Sequence, residues 1–91
     1  MKKTLWQASR DVFHQRAGED HVLILMPGET YFTLNALGGQ IWQLIQDPLS
    51  IDDICAILMD EYEVERETCR MQTQALLEDM ERKRLVKRVG G

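Results

Sequence analysis

The sequence predicts a single α+β domain spanning residues 1–91, with a three-stranded antiparallel sheet followed by three helices. Two observations lead to this prediction. Up to Leu34, short runs rich in β-branched and aromatic residues alternate with turn segments that contain glycine. From Ala36 onward, apolar residues recur at helical spacing. Asn35 stands at the boundary between the two patterns and is suited to cap a helix.

The first third of the chain predicts three strands joined by short connections. Trp6 to Gln15 is a weak first strand, and residues 16–20 form a polar, glycine-containing connection of hairpin length. His21 to Met26 is a nearly all-apolar second strand. A Pro27-Gly28 turn leads into a third strand, Glu29 to Leu34. No later strand obviously pairs with this third strand, so we expect it at a sheet edge, either covered or open to an incoming peptide strand.

Three helices are predicted over residues 36–46, 51–62 and 65–84, with Ser50 as the cap of the second. Gly38-Gly39 weakens the first helix by roughly 1 kcal/mol per glycine relative to alanine. A close approach of the helix backbone to the sheet would explain that cost. The residues after the third helix, 85–89, alternate partly and are expected to return as a short strand or wing.

Composition and charge exclude several classes of protein. The net charge is −4, and residues 47–67 carry eight acidic side chains against Arg66 alone, which disfavours nucleic acid as a partner. No apolar run approaches the roughly 20 residues of a membrane span, and no secretory signal is visible, so we expect a cytoplasmic protein without a membrane partner. Cys55 and Cys69 fall in helical apolar patterns and are interpreted as reduced packing residues.

The sequence offers no catalytic or metal-binding constellation. His14 and His21 have no cysteine or carboxylate nearby at a metal-ligand spacing. Leu37-Gly38-Gly39-Gln40 lacks the spacing and the lysine of a phosphate-binding loop. Acidic pairs lie at helix ends, where solvated carboxylates are usual. We therefore expect no enzymatic activity, no cofactor and no metal.

The candidate binding residues combine the third strand with one face of the third helix. On that helix a second apolar strip, opposite the core stripe, either contacts the second helix or the solvent, or lines a groove beside the strand. The register decides whether Tyr31 or Phe32 faces the ligand. The predicted peptide-binding residues are Glu29, Thr30, Tyr31, Phe32, Thr33, Leu34, Thr68, Met71, Gln74, Ala75 and Glu78.

Residues 34–45, Leu-Asn-Ala-Leu-Gly-Gly-Gln-Ile-Trp-Gln-Leu-Ile, resemble the PqqD-like family of peptide recognition elements from pathways that modify ribosomally made peptides. Residues 48–54, Pro-Leu-Ser-Ile-Asp-Asp-Ile, follow at family-like spacing, and the resemblance covers about residues 22–89. Gly38-Gly39 departs from the pattern by doubling what is often a single glycine.

This resemblance implies a winged helix-turn-helix-like domain that catalyses no reaction. Such a domain binds the leader segment of a precursor peptide as an additional strand beside the third strand and against the third helix. It then delivers the precursor to a modifying enzyme, such as a leader peptidase or a radical SAM maturase. The stand-alone length is similar to the recognition half of split lasso-peptide leader peptidases, which is the type we favour.

The main alternative is a winged-helix regulator that binds DNA. The third helix offers Arg66, Arg70, Gln72 and Gln74 to base edges, but among six acidic residues, which argues against it. An oligomerising structural module is a third possibility.

Overall fold

The computed structural model describes residues 3–26 and 28–90. Pro27, which the sequence assigns to a turn, lies outside the described residues. The elements follow in the order β1 (Thr4–Ala8), β2 (Val12–Ala17), β3 (Asp20–Leu25), β4 (Thr30–Leu34), α1 (Ala36–Leu44), α2 (Ile51–Glu61), α3 (Arg66–Arg82) and β5 (Val86–Gly90). The predicted α+β class, with a three-stranded antiparallel sheet and three helices, is confirmed. No helix in these residues combines the length and apolar character needed to cross a bilayer.

The three-stranded sheet has the order β2-β3-β4 and is a meander of hairpins. Ala17 pairs with Asp20, so β2 and β3 are joined by two residues, and Gly18 adopts the positive φ of 66° that such a tight hairpin needs. The β3–β4 turn contains Gly28 at φ 106° and Glu29 at φ 50°. Glu29, predicted as the first residue of the third strand, therefore belongs to the turn, and β4 begins at Thr30.

The single first strand predicted from Trp6 to Gln15 is wrong, because this segment forms two strands in two different sheets. β1 pairs antiparallel with β5, so the predicted C-terminal return strand is confirmed. Trp6 also exchanges backbone hydrogen bonds of 2.7 and 3.0 Å with Leu49 before α2. Both halves of the segment alternate between apolar and polar residues, and the pattern alone did not reveal the turn at residues 9–11.

Side-chain caps begin the first two helices, as predicted. Asn35 Oδ1 accepts the Gly38 N–H at 2.8 Å, and Ser50 Oγ accepts the Asp53 N–H at 3.1 Å. α3 ends before Arg84, whose φ of 63° is incompatible with a continuing helix. All three helices match their predicted positions within two residues at each end.

The core lies between the helices and the inner faces of both sheets. Its largest fully buried side chains are Trp6, Leu23, Ile41, Ile45, Ile54, Leu77, Met80 and Leu85. Cys55 and Cys69 are buried, free thiols on α2 and α3, as predicted, and the hydroxyl of Thr73 lies 3.9 and 4.0 Å from their sulfur atoms. The core therefore joins both sheets to the helices through apolar contact.

Candidate functional site

The free edge of β4 follows from the hydrogen-bond phase of the sheet. The Met26 N–H donates to the Asp11 carbonyl at 2.8 Å, one step beyond the Val12–Leu25 pair. Since hydrogen-bonded pairs alternate in an antiparallel ladder, even-numbered residues of β3 bond to β2 and odd-numbered residues bond to β4. Leu23 therefore exchanges backbone hydrogen bonds with Phe32. In the same way, Leu25 pairs with Thr30 and His21 pairs with Leu34.

The main-chain N–H and C=O groups of Tyr31 and Thr33 consequently point away from β3. Within residues 3–26 and 28–90, no strand lies on that side of β4. Two donors and two acceptors are thus arranged along an open edge with the spacing that an added strand requires. This edge is the structural basis of the candidate site.

The side chains of β4 alternate between two different surroundings. Phe32 and Leu34 are half-buried and pack against the core, on the same face as Leu23. Tyr31 is 64% exposed on the opposite face, and Thr33 is also exposed. The sequence did not decide which of these residues faces the helices. In the structure, Phe32 points toward the helices and Tyr31 points away from them.

An apolar cavity of about 370 Å³ opens just beyond the end of β4. It lies between α1, α2 and α3 and is lined mainly by apolar side chains, with Tyr62, Gln72 and Thr73 as polar members. Its apolar residues include Leu37, Ile41, Leu58, Val64 and Leu76. Leu37 remains 39% exposed although it is apolar. A cavity of this volume and lining suits one or two apolar side chains of a ligand.

Hydrogen bonds hold the rim of this cavity where α1 meets the end of α2. The Tyr62 hydroxyl donates to Gln40 Oε1 at 2.8 Å, and Gln40 Nε2 donates to Glu61 Oε2 at 2.6 Å. The pair fixes the phenol ring that forms one wall. In the sequence, Tyr62 is the last residue of the second predicted helix, and Gln40 carries no signal that links it to this wall.

In the middle of β4, the ring of Phe32 lies near Lys83 at the C-terminal end of α3. Lys83 Nζ lies 5.6 Å from the centroid of the Phe32 ring and 2.8 Å from Asp79 Oδ2. The hydrogen bond from Lys83 is the main cause of a lowered pKa of Asp79. These contacts place the C-terminal part of α3 beside β4.

The structure divides the predicted α3 residues between two flanks. Thr68, Met71 and Ala75 are exposed, and Met71 is 70% exposed. Gln74 lines a polar cleft with Trp6 and Arg88, and Glu78 accepts a hydrogen bond of 3.0 Å from Gln74. Gln74 and Glu78 thus lie on the side of α3 that faces β1 and β5, and neither residue lines the apolar cavity.

Four α3 residues line the cavity, Cys69, Gln72, Thr73 and Leu76, and none of them was among the peptide-binding residues predicted from the sequence. Leu76 lies at helical spacing from the buried residues Thr73 and Met80 but is itself only half-buried. The sequence signal for Gln72 is its position four residues before Leu76, which places both on one face of the helix.

His14 and His21 form a pair away from this cavity. His14 Nε2 lies 2.6 Å from His21 Nδ1, and the two rings stack with centroids 4.8 Å apart. Burial lowers the pKa of His14, with smaller contributions from His21 and Arg16. In the described part of the chain, no group of three or more His, Cys, Asp or Glu residues is arranged to hold a metal ion.

The family assignment is decided by residues 21–86, which match the model of coenzyme PQQ synthesis protein D, PqqD. The chain belongs to the PqqD family. The matched range contains β3, β4 and all three helices, and therefore both the open edge and the cavity. The resemblance found in the sequence is thereby confirmed. A comparison with curated proteins finds no match.

Two solved structures share the PqqD fold seen here. TbiB1, in complex with the TbiA(beta) leader peptide, is 27% identical, with a TM-score of 0.81 over 89% of this chain and 94% of that one. Lasso peptide synthetase B1, complexed with the leader peptide, is 23% identical, with a TM-score of 0.80 over 90% of this chain and 96% of that one. The second likeness establishes the fold, and the first also carries sequence similarity.

Proposed function

We propose that this PqqD-family protein binds the leader segment of a ribosomally synthesised precursor peptide as a fourth strand along β4. The observation that carries the proposal is the open edge at Tyr31 and Thr33, next to the apolar cavity between α1, α2 and α3. Main-chain pairing supplies affinity, and pockets for alternate side chains supply selectivity.

The cavity explains how a strand on this edge is recognised. Residues of the added strand that share the face of Phe32 and Leu34 point toward the helices, where Leu37 and Leu76 offer apolar contact. Burying one methylene group there contributes about 0.8 kcal/mol. The predicted residues Thr68, Met71 and Ala75 form the exposed flank of α3 over which a longer leader would continue.

The complexes of TbiB1 and of lasso peptide synthetase B1 with leader peptides support this assignment by analogy. We further propose that the protein performs no reaction and needs no cofactor. It delivers the bound precursor to a partner enzyme, either a leader peptidase of the lasso type or another maturase such as a radical SAM enzyme. The buried, reduced pair Cys55 and Cys69 fits a cytoplasmic location.

The proposal is tested with candidate leader peptides translated from the reading frames beside this protein's gene, each added to isotopically labelled protein. Nuclear magnetic resonance should show that the Tyr31 and Thr33 amide protons become protected from exchange, while the already bonded Phe32 amide changes least. A scrambled leader of the same composition is the control. Binding without protection at Tyr31 and Thr33 would refute strand addition.

A titration with duplex DNA distinguishes peptide binding from the alternative function, that of a DNA-binding regulator. We expect no tight binding, because acidic residues surround the exposed arginines of α3 and Arg70 is paired with Asp52. Tight binding that weakens steeply with salt would instead favour the DNA-binding function.

A further inference from the structure

We propose that Tyr31 forms a second recognition surface, on the sheet face opposite the cavity, which selects an apolar side chain at the leader position directly across from it. Ile24 and Phe13 extend this surface across the sheet. The inference rests on the proposed strand addition and deepens it, because it names a class of residue at a defined leader position.

The three side chains form one cross-strand row. Phe13 pairs with Ile24 across β2 and β3, and Ile24 pairs with Tyr31 across β3 and β4. Phe13 is 61% exposed and Tyr31 is 64% exposed, while Ile24 between them is half-buried. The outer face of an antiparallel sheet ordinarily carries polar side chains. This row is apolar throughout and ends at the open edge, so it departs from the usual pattern.

Tyr31 contributes both main-chain and side-chain groups to the open edge. Its main-chain N–H and C=O are free for pairing, and its side chain ends the apolar row. In an antiparallel strand added in register, the residue opposite Tyr31 exchanges both hydrogen bonds with it, and their Cβ atoms lie about 4.5–5.5 Å apart. That residue continues the row, while its two neighbours along the leader point toward the cavity face.

The two cross-strand rows nearest to Tyr31 on this face favour an uncharged partner. The adjacent row on the same face consists of Gln15, Val22 and Thr33, none of which carries a charge. A charged leader side chain would find no counter-ion in either row, whereas an aliphatic or aromatic side chain gains cross-strand contact with the Tyr31 ring. The leader is thus read on both faces, by the cavity on one and by Tyr31 on the other.

A displayed library of random peptides tests the inference without knowledge of the natural leader. Peptides are selected on the wild-type protein and on the variants Tyr31→Thr, Tyr31→Phe and Leu37→Ser. Threonine keeps a strand-favouring residue but removes the ring, and phenylalanine keeps the ring. Leu37→Ser alters the cavity on the other face.

We expect wild-type and Tyr31→Phe selections to enrich apolar residues at one position flanked by the cavity-facing ones. Peptides selected on Tyr31→Thr should lose the apolar enrichment at the position opposite residue 31 alone. Peptides selected on Leu37→Ser should lose it only at the two flanking positions that face the cavity. For one selected peptide, Tyr31→Thr should weaken binding about 3- to 10-fold. Replacing the opposite peptide residue by serine should abolish that sensitivity.

An unchanged enrichment pattern on Tyr31→Thr would overturn the inference and leave strand addition standing. The absence of any peptide bound along β4 in the wild-type selection, read out by protection of the Thr33 amide, would overturn both. The two failures are therefore distinguishable.

Discussion

The imidazole of His21 lies directly against the backbone of Gly39, so that a Cβ atom at position 39 would overlap the ring. His21 is 5% exposed on the inner face of β3, and Gly39 lies in the first turns of α1. This contact explains why position 39 is glycine, since any side chain there would collide with the ring. It also sets how close α1, which lines one side of the cavity, lies to the sheet.

Gly39→Ala should destabilise the fold by about 1–3 kcal/mol, because the added methyl group must displace a buried ring. Gly38→Ala is the matched control. Its Cβ would meet Leu34 Cβ and Asn35 Oδ1 at 3.3 Å, and the helix propensity of alanine offsets this tighter contact, so a change under about 1 kcal/mol is expected. Urea unfolding measures both, and equal stability of Gly39→Ala and wild type would contradict the prediction.

Stability should fall as the pH drops through the histidine range. Burial holds the pKa of His14 below its usual value of 6.5, so the unfolded chain takes up a proton more readily than the folded one. The stabilisation is fully present above pH 6.5 and is lost as the pH falls toward the lowered pKa. The pKa of Asp79 is lowered from 3.8, so its own contribution is lost only at more acidic pH.

His14→Gln removes the titrating group and keeps a hydrogen-bonding partner for His21. The difference in unfolding free energy between wild type and this variant, measured by urea unfolding across the histidine range, should therefore depend on pH. A constant difference would show that His14 does not contribute.

The two cysteines should be unreactive in the folded protein. Burial, followed by the hydrogen bond with Cys69, raises the pKa of Cys55 to about 11, so very little thiolate is present near neutral pH. Ellman's reagent should therefore modify neither thiol until guanidinium unfolds the chain, after which both react. Rapid modification of the native protein would contradict the buried placement of Cys55 and Cys69.

A comparison of Leu37→Ser with Met71→Ser tests which apolar side chains meet the leader. Both residues are exposed on helices, at 39% and 70%, so neither change should greatly affect stability. Leu37→Ser removes part of the cavity wall and should weaken binding of the leader about 10-fold, as judged by calorimetry. An unchanged affinity would place the leader outside the cavity, and weakened binding of Met71→Ser would extend the site over the exposed flank of α3.

Local signals in the sequence predicted much of this fold. Asn35 and Ser50 mark helix starts because their side chains bond amides three residues away, a contact that depends on nothing distant. The open edge was also predictable, since the chain turns to helix directly after β4. The close approach of helix and sheet expected for the glycine pair is found at Gly39, whose backbone lies against His21.

The remaining features depend on long-range packing. β1 separates from β2 because Trp6 pairs with Arg88 at the other end of the chain, a partner that no local pattern identifies. Likewise, helical spacing shows which α3 residues share a face but not which flank turns to β4. Gln72 and Leu76, rather than Gln74 and Glu78, line the cavity because of the angle at which α3 packs.

The most direct test of the central claim is the leader affinity of Thr33→Pro compared with Thr33→Val. The Thr33 N–H faces the open edge, so proline removes a donor to the leader without breaking the β3–β4 ladder, whereas valine keeps the donor. With both variants shown to be folded by circular dichroism, calorimetry should give binding weakened about 10-fold or more for Thr33→Pro and near wild type for Thr33→Val. A folded Thr33→Pro that binds the leader with wild-type affinity would contradict strand addition at β4.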